Sequence, residues 1–347
     1  MSNDLLAGRY DAALLDLDGT IYEGGRAVPG ALEGLTEAGL PMLFVTNNAS
    51  RAPETVADQL RSLGYDCDAD DVMTSAQAAI EMAADIVPAG AKVLVLGAQS
   101  FRDLATAAGY ELVDSADDEP AAVFQGHNPE TNWAMMSEAA LSIRRGARYL
   151  ASNLDSTLPT ERGLLVGNGS MVAAIVSATG VEPRSAGKPL PPMFHRGAAR
   201  LNSERPVVIG DRLNTDIAGG NAAGYDTLMT VTGISGHHET LTAVPEERPT
   251  LIGADMSALV SPAEEAEPRP QAGFTARRDA DDPGVIVVDG GDASDPRLAD
   301  PARAAVAALL TAASVAWFDA DGAPSVAPVT GVRAESPAAA DAIAAWR

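Results

Sequence analysis

An open α/β fold built on parallel strands is what this sequence predicts, and three observations predict it. Short apolar runs alternate with helix-patterned stretches along the chain. Each run is bounded by Gly, Pro or other turn residues. Aromatic residues make up only 4% while alanine is abundant, which favours close-packed helices over an all-β sandwich.

The runs that read as strands are AALLDLD (12–18), PMLFVTNN (41–48), KVLVLG (92–97), AAVFQG (121–126), ARYLASN (147–153), PVVIGD (206–211) and DTLMTVTG (226–233). Between them, APETVADQLRSLG (52–64) places Val56, Leu60 and Leu63 on one helical face. NWAMMSEAALSIRRG (132–146) is a second helix, ending at a glycine. From residue 261 the chain turns polar and proline-bearing, so 261–280 reads as a linker. Residues 281–347 then form a small α/β appendage with a strand at GVIVVDGG, an Ala-rich helix and a further strand over 314–322. No internal repeat is seen at a fixed period.

At 347 residues and 46% hydrophobic composition, two or three domains with a sizeable core are expected. The formal charge of −24, from 48 acidic against 24 basic residues, excludes a general basic footprint for nucleic acid. One cysteine, Cys67, rules out an internal disulfide. The N-terminal MSNDLLAGRY has no apolar signal core, and the low-polarity run at 304–318 is too short to span a bilayer comfortably. The reading is a soluble cytoplasmic protein without membrane partners.

Polar residues gather where the strands end. Asp16 and Asp18 close the first run, Thr46 and Asn47 the second, and Asp211 with Asp216 follow PVVIG, while Lys188 precedes a helix. In an open parallel sheet, ligands bind beyond the carboxyl ends of the strands. Taken singly, each piece has an ordinary explanation as a turn, a cap or a surface lysine. The four together, in this order, do not.

The set resembles the haloacid dehalogenase (HAD) superfamily of phosphatases. DLDGT matches the nucleophile motif, VTNN the threonine motif, GKP the lysine motif and GDRLNTD the acidic motif, over about residues 8–260. GDRLNTDI and FVTNNAS resemble the class IIA branch, which holds nucleotide, p-nitrophenyl phosphate, phosphoglycolate and glycerol-phosphate phosphatases. The resemblance implies a Rossmann-like core from 1–78 and 187–260 and an inserted α/β cap of the C2 type over 79–186. The spacing agrees, since 141 residues separate Thr46 from Lys188 and only 22 separate Lys188 from Asp211.

The resemblance also assigns roles. Asp16 is the nucleophile that becomes an aspartyl phosphate, and Asp18 the acid and base that serves the leaving alkoxide and then water. A second acid two residues after the nucleophile points to phosphoester hydrolysis rather than dehalogenation. Mg²⁺ is the implied cofactor, held by Asp16, the Asp18 backbone carbonyl, Asp211 and Asp216; no His or Cys cluster argues for zinc. Lys188, Thr46, Asn47 and Asn48 form the substrate-binding set. Gln125, His127, Asn153 and Asp155 are cap residues open to either a leaving-group contact or a turn role. Arg144, Arg145 and Arg148 read as a solvated helix end, and His237 and His238 as loop residues.

The implied reaction is Mg²⁺-dependent hydrolysis of a small phosphorylated metabolite, with glycerol 3-phosphate and 2-phosphoglycolate first. A nucleoside-monophosphate or sugar-phosphate phosphatase is the alternative. A regulatory role of the appendage is a further one, since some relatives carry an acetyltransferase-like fragment there. Residues 281–347 lack a Gly-rich coenzyme A loop, so the appendage is expected to pack on the core or to mediate a contact in a homo-oligomer.

Overall fold

The computed structural model describes residues 5–160, 162–319 and 321–347. The chain divides into two compact units, one built from the residues up to Met42 together with Leu201–Arg347, the other from Leu43–Arg200.

In the first unit, four parallel strands run in the order Leu251–Gly253, Asp226–Thr230, Pro206–Gly210 and Ala12–Leu15. All four residues of Ala12–Leu15 and all five of Pro206–Gly210 are buried, as strands covered on both faces must be. Ala12 pairs with Pro206 and Leu15 with Ile209, so Asp16 and Asp211 leave the sheet side by side at its carboxyl edge.

The expected linker at 261–280 is corrected. Ala263–Ala266 form a 3-10 turn with Ala263 and Ala266 buried, and Phe274–Arg278 is a strand. That strand pairs antiparallel with Val285–Gly290, which pairs parallel with Gly331–Ala334. Phe274 is buried, which alternation within a Pro- and Arg-rich stretch concealed. The strand expected over 314–322 is also corrected: Ser314–Ala316 end the helix Pro301–Ala316, whose first turn is capped by Asp300. Ala320 lies outside the described residues. Among its described residues the appendage packs on the core. Phe274, Ile286, Leu309 and Trp317 share one buried cluster with Leu213, Met229, Leu241 and Ile252.

In the second unit, five parallel strands run in the order Arg184–Ser185, Arg148–Ala151, Ala122–Gln125, Lys92–Leu96 and Glu111–Val113. This is the α/β unit expected between Thr46 and Lys188. A hairpin of Thr157–Thr160 and Gly163–Val166 is added to it. The strand Met42–Thr46 pairs parallel with Val72–Thr74. The expected boundary at 78/79 cuts through the helix Ser75–Ala84, and residues 43–78 and 187–200 group with the insertion. Arg196 and Arg200, on the helix Pro191–Arg200, form ion pairs with Glu81 and Asp85.

The helix Pro53–Ser62 buries Val56 and Leu60, and Trp133–Arg144 is capped by the Asn132 side chain, which accepts from the Ala134 and Met135 N–H groups. Among the described residues no helix is long and apolar enough to cross a membrane.

Candidate active site

In the first unit, carboxylate oxygens of Asp16, Asp211 and Asp216 lie within 4.8 Å of one another. Asp16 is half-buried; Asp211 and Asp216 are each 1% exposed. At that separation two carboxylates repel by roughly 3 kcal/mol at an effective dielectric of about 20. Burial of two of them adds a desolvation cost. An all-oxygen group of this charge suits a hard divalent cation with carboxylate and water ligands.

The fold holds Asp211 from several sides. The Ile234 N–H donates to Asp211 Oδ2 at 2.6 Å, and Thr20 Oγ1 donates to Oδ1 at 3.2 Å. The Ser235 N–H donates to the Asp211 carbonyl at 3.1 Å. Gly19, at φ +89°, turns the chain where a side chain would sit 2.5 Å from Asp211 Oδ2. A Cβ on Gly233 would sit 1.9 Å from the same oxygen. Gly233, Ile234 and Ser235 were not singled out from the sequence. Asp18 is exposed, and its carboxylate is not in the group of three.

In the second unit, Thr46 and Lys188 are buried. Lys188 Nζ donates to the Val45 carbonyl at 3.0 Å. Asn47 is the hub: its Oδ1 accepts from the Lys188 N–H at 2.8 Å, and its Nδ2 donates to the Lys188 carbonyl at 3.0 Å and to Asp155 at 3.1 Å. Asn153 Nδ2 and Ser75 Oγ both donate to the Asn47 carbonyl. The Thr46 hydroxyl accepts from the Asn48 N–H, while Asn48 Oδ1 accepts from Ser50. The structure therefore joins Asn47, Lys188, Asn153 and Asp155 directly.

Gln125, in contrast, is fully buried in the sheet and accepts a hydrogen bond from Tyr149, whose hydroxyl burial pushes well above its ordinary range. Burial lowers the His127 imidazole below its usual value. Arg144 and Arg145 hydrogen-bond locally, to the Ala178 carbonyl and to Ala116 and Asp117. His237 and His238 are not loop residues but open the short helix His237–Leu241, and His237 is buried against Trp346.

A model described as haloacid dehalogenase-like hydrolase matches residues 13–111, and a HAD-hydrolase-like model matches 185–259. Together they cover the segments that carry Asp16, Thr46, Lys188 and Asp211. The chain is 42% identical to the D-glycerol 3-phosphate phosphatase of Mycobacterium tuberculosis, over 88% of its own length and 86% of the relative's. This chain belongs to the haloacid dehalogenase-like hydrolases. Another member, an acid sugar phosphatase of Staphylococcus saprophyticus, is 35% identical over 72% of this chain and 97% of its own. Among solved structures, a glycerol phosphate phosphatase from Mycobacterium tuberculosis in complex with magnesium matches with a TM-score of 0.88 at 38% identity, over 99% of this chain and 98% of that one. The family resemblance read from the motifs, and the parallel-sheet α/β fold it implies, are borne out.

Proposed function

We propose that this chain is a magnesium-dependent phosphatase acting on a small phosphate monoester, with D-glycerol 3-phosphate the favoured substrate. The observation that carries the reading is the group of Asp16, Asp211 and Asp216 beyond two adjacent parallel strands. The substrate preference rests on the 42% identical relative and on the structural match over almost the whole chain.

Asp16, Asp211 and Asp216, with the Asp18 carbonyl, would hold Mg²⁺; the oxygen-only donor set fits it. The chemistry that a bound Mg²⁺ supplies is neutralisation of negative charge on the phosphoryl oxygens. Asp16 attacks phosphorus, its Oδ–P bond forming as the bond to the leaving alkoxide breaks. Asp18 gives its proton to that alkoxide and recovers one from the water that hydrolyses the aspartyl phosphate. Its exposure suits a group that must meet both a departing product and solvent. Thr46, Asn47, Asn48 and Lys188 bind and neutralise the phosphoryl group, with the Asn47 side chain orienting the Lys188 backbone.

The insertion between Thr46 and Lys188 would serve as the C2-type cap, its lower boundary falling outside the helix Ser75–Ala84 rather than at 78/79, and its Asp155 and Asn153 are bonded to Asn47. A sugar-phosphate phosphatase is the second reading, favoured by the 35% identity to the acid sugar phosphatase.

The test is phosphate release from a panel of esters with and without Mg²⁺. D-glycerol 3-phosphate should have the highest kcat/KM, with activity lost on chelation. A sugar phosphate at the head of the panel selects the second reading, and no Mg²⁺-dependent release from any ester overturns both.

A further inference from the structure

The loop from Val231 to His237 holds Asp211 on its inner side. Besides the Ile234 and Ser235 bonds described above, Ser235 Oγ accepts from the Leu213 N–H at 3.1 Å, and Thr232 Oγ1 donates to the Gly19 carbonyl at 2.6 Å. The loop therefore fixes both Asp211 and the turn that follows Asp16. Val231, at one end of the loop, is buried, but Ile234 at its middle is 61% exposed, so the part that meets Asp211 is not held by burial of its own side chain.

Its outer side is held by residues more than a hundred positions away. The Arg347 guanidinium donates to the Val231 carbonyl, the His237 N–H donates to the Arg347 backbone oxygen at 3.1 Å, and the Arg347 N–H donates to His237 Nδ1 at 3.3 Å. The Trp346 indole stacks on His237 at 5.7 Å between ring centres and meets His238 edge-on at 5.1 Å. Trp346 Nε1 donates to the Ala305 carbonyl at 3.2 Å, which ties the pair to the long helix Pro301–Ala316. A Cβ on Gly236 would sit 2.2 Å from the Arg347 oxygen, so the two backbone segments meet too closely for a side chain there. Both ends of a seven-residue loop are thus pinned from the appendage, while its middle carries the N–H that meets Asp211 Oδ2.

We propose that Trp346 and Arg347 are positioning residues for the metal-binding carboxylate Asp211, acting through the loop Val231–His237. The appendage is on this account part of the catalytic apparatus rather than a passenger. The proposal rests on the reading of Asp16, Asp211 and Asp216 as a magnesium site. Groups that orient a metal ligand through hydrogen bonds affect affinity by about ten- to a hundredfold when removed, and a support one step further out falls at the low end.

The experiment titrates Mn²⁺ into the full-length parent, Trp346→Ala, Arg347→Ala and Trp346→Phe, reading free Mn²⁺ by electron paramagnetic resonance, with thermal unfolding of each protein alongside. Trp346→Ala and Arg347→Ala should bind Mn²⁺ about tenfold more weakly at temperatures where both are folded, and Trp346→Phe, which keeps the stack, should recover most of the affinity. KM for the phosphate ester at saturating metal should stay near the parent's. If Trp346→Ala does not fold, Arg347→Ala, which removes one side-chain bond, decides the question. Parental Mn²⁺ affinity in folded variants overturns the positioning role alone. A parent that binds no Mn²⁺ overturns the magnesium site, and the positioning role with it.

Discussion

Asn47 holds both backbone polar groups of Lys188, accepting from its N–H at 2.8 Å and donating to its carbonyl at 3.0 Å, across 141 positions of sequence. Both bonds come from one amide, so no smaller side chain at 47 reproduces them.

Asn47→Ala should therefore misplace Lys188 and remove the bond from Nδ2 to Asp155 together. Leaving buried partners unsatisfied costs about 1–3 kcal/mol. At about 1.4 kcal/mol per decade that is a loss of roughly ten- to a hundredfold in kcat/KM. Steady-state kinetics on the preferred ester measure it, and a folded variant with parental kcat/KM would detach Lys188 from the reaction.

Gly233→Ala should damage the carboxylate group by sterics alone, since the new methyl would meet Asp211 Oδ2 at 1.9 Å. Gly331→Ala is the matched control, because its Cβ has no heavy atom within 4 Å. We expect Gly233→Ala to lose most metal-dependent activity and the control to change stability by less than about 0.5 kcal/mol. Equal behaviour of the two in activity and unfolding assays would contradict the crowding described at Asp211.

His237 should make stability fall as pH drops from about 6.5 to about 4. Burial lowers its imidazole to about 4, helped by the neighbouring Arg347 and His238 charges. The unfolded chain takes up the proton near pH 6.5 and the folded chain only near 4, so between those values unfolding binds more protons. The full effect is on the order of 3 kcal/mol. Denaturant midpoints at pH 7 and pH 4.5 should fall less in His237→Phe than in the parent. Equal slopes would show that His237 is not buried neutral.

Much of this architecture was legible in the sequence. Every strand expected before residue 235 exists within a few residues, because strands buried on both faces announce themselves as apolar runs bounded by turn residues. Asp16 and Asp211 were legible as the polar residues that follow two such runs. The supports of Asp211 were not: Ile234 acts through a backbone N–H, and Gly233 through the absence of a side chain, neither of which leaves a pattern. Phe274 was hidden because a five-residue strand with a single buried end resembles a polar linker. His237 and His238 were read as loop residues because Trp346, which stacks on His237 and meets His238 edge-on, lies over a hundred positions downstream.

A truncate ending at residue 260 should fail to fold rather than behave as a minimal enzyme. It would strip Phe274, Ile286, Leu309 and Trp317 from the cluster that buries Leu213, Met229, Leu241 and Ile252. Losing a large buried side chain costs about 2–5 kcal/mol, and several such losses exceed the total stability of about 5–15 kcal/mol typical of a domain. Circular dichroism and size-exclusion chromatography check this, and a soluble, cooperatively unfolding truncate would show that the two segments do not depend on one another.

The most direct test of the central claim is rapid quenching of the enzyme with a phosphoryl-labelled ester, followed by mapping of the labelled peptide. The account predicts transient label on Asp16, abolished in Asp16→Asn and by removal of Mg²⁺. A fully active enzyme that never carries label, or that carries it on another residue, would contradict it.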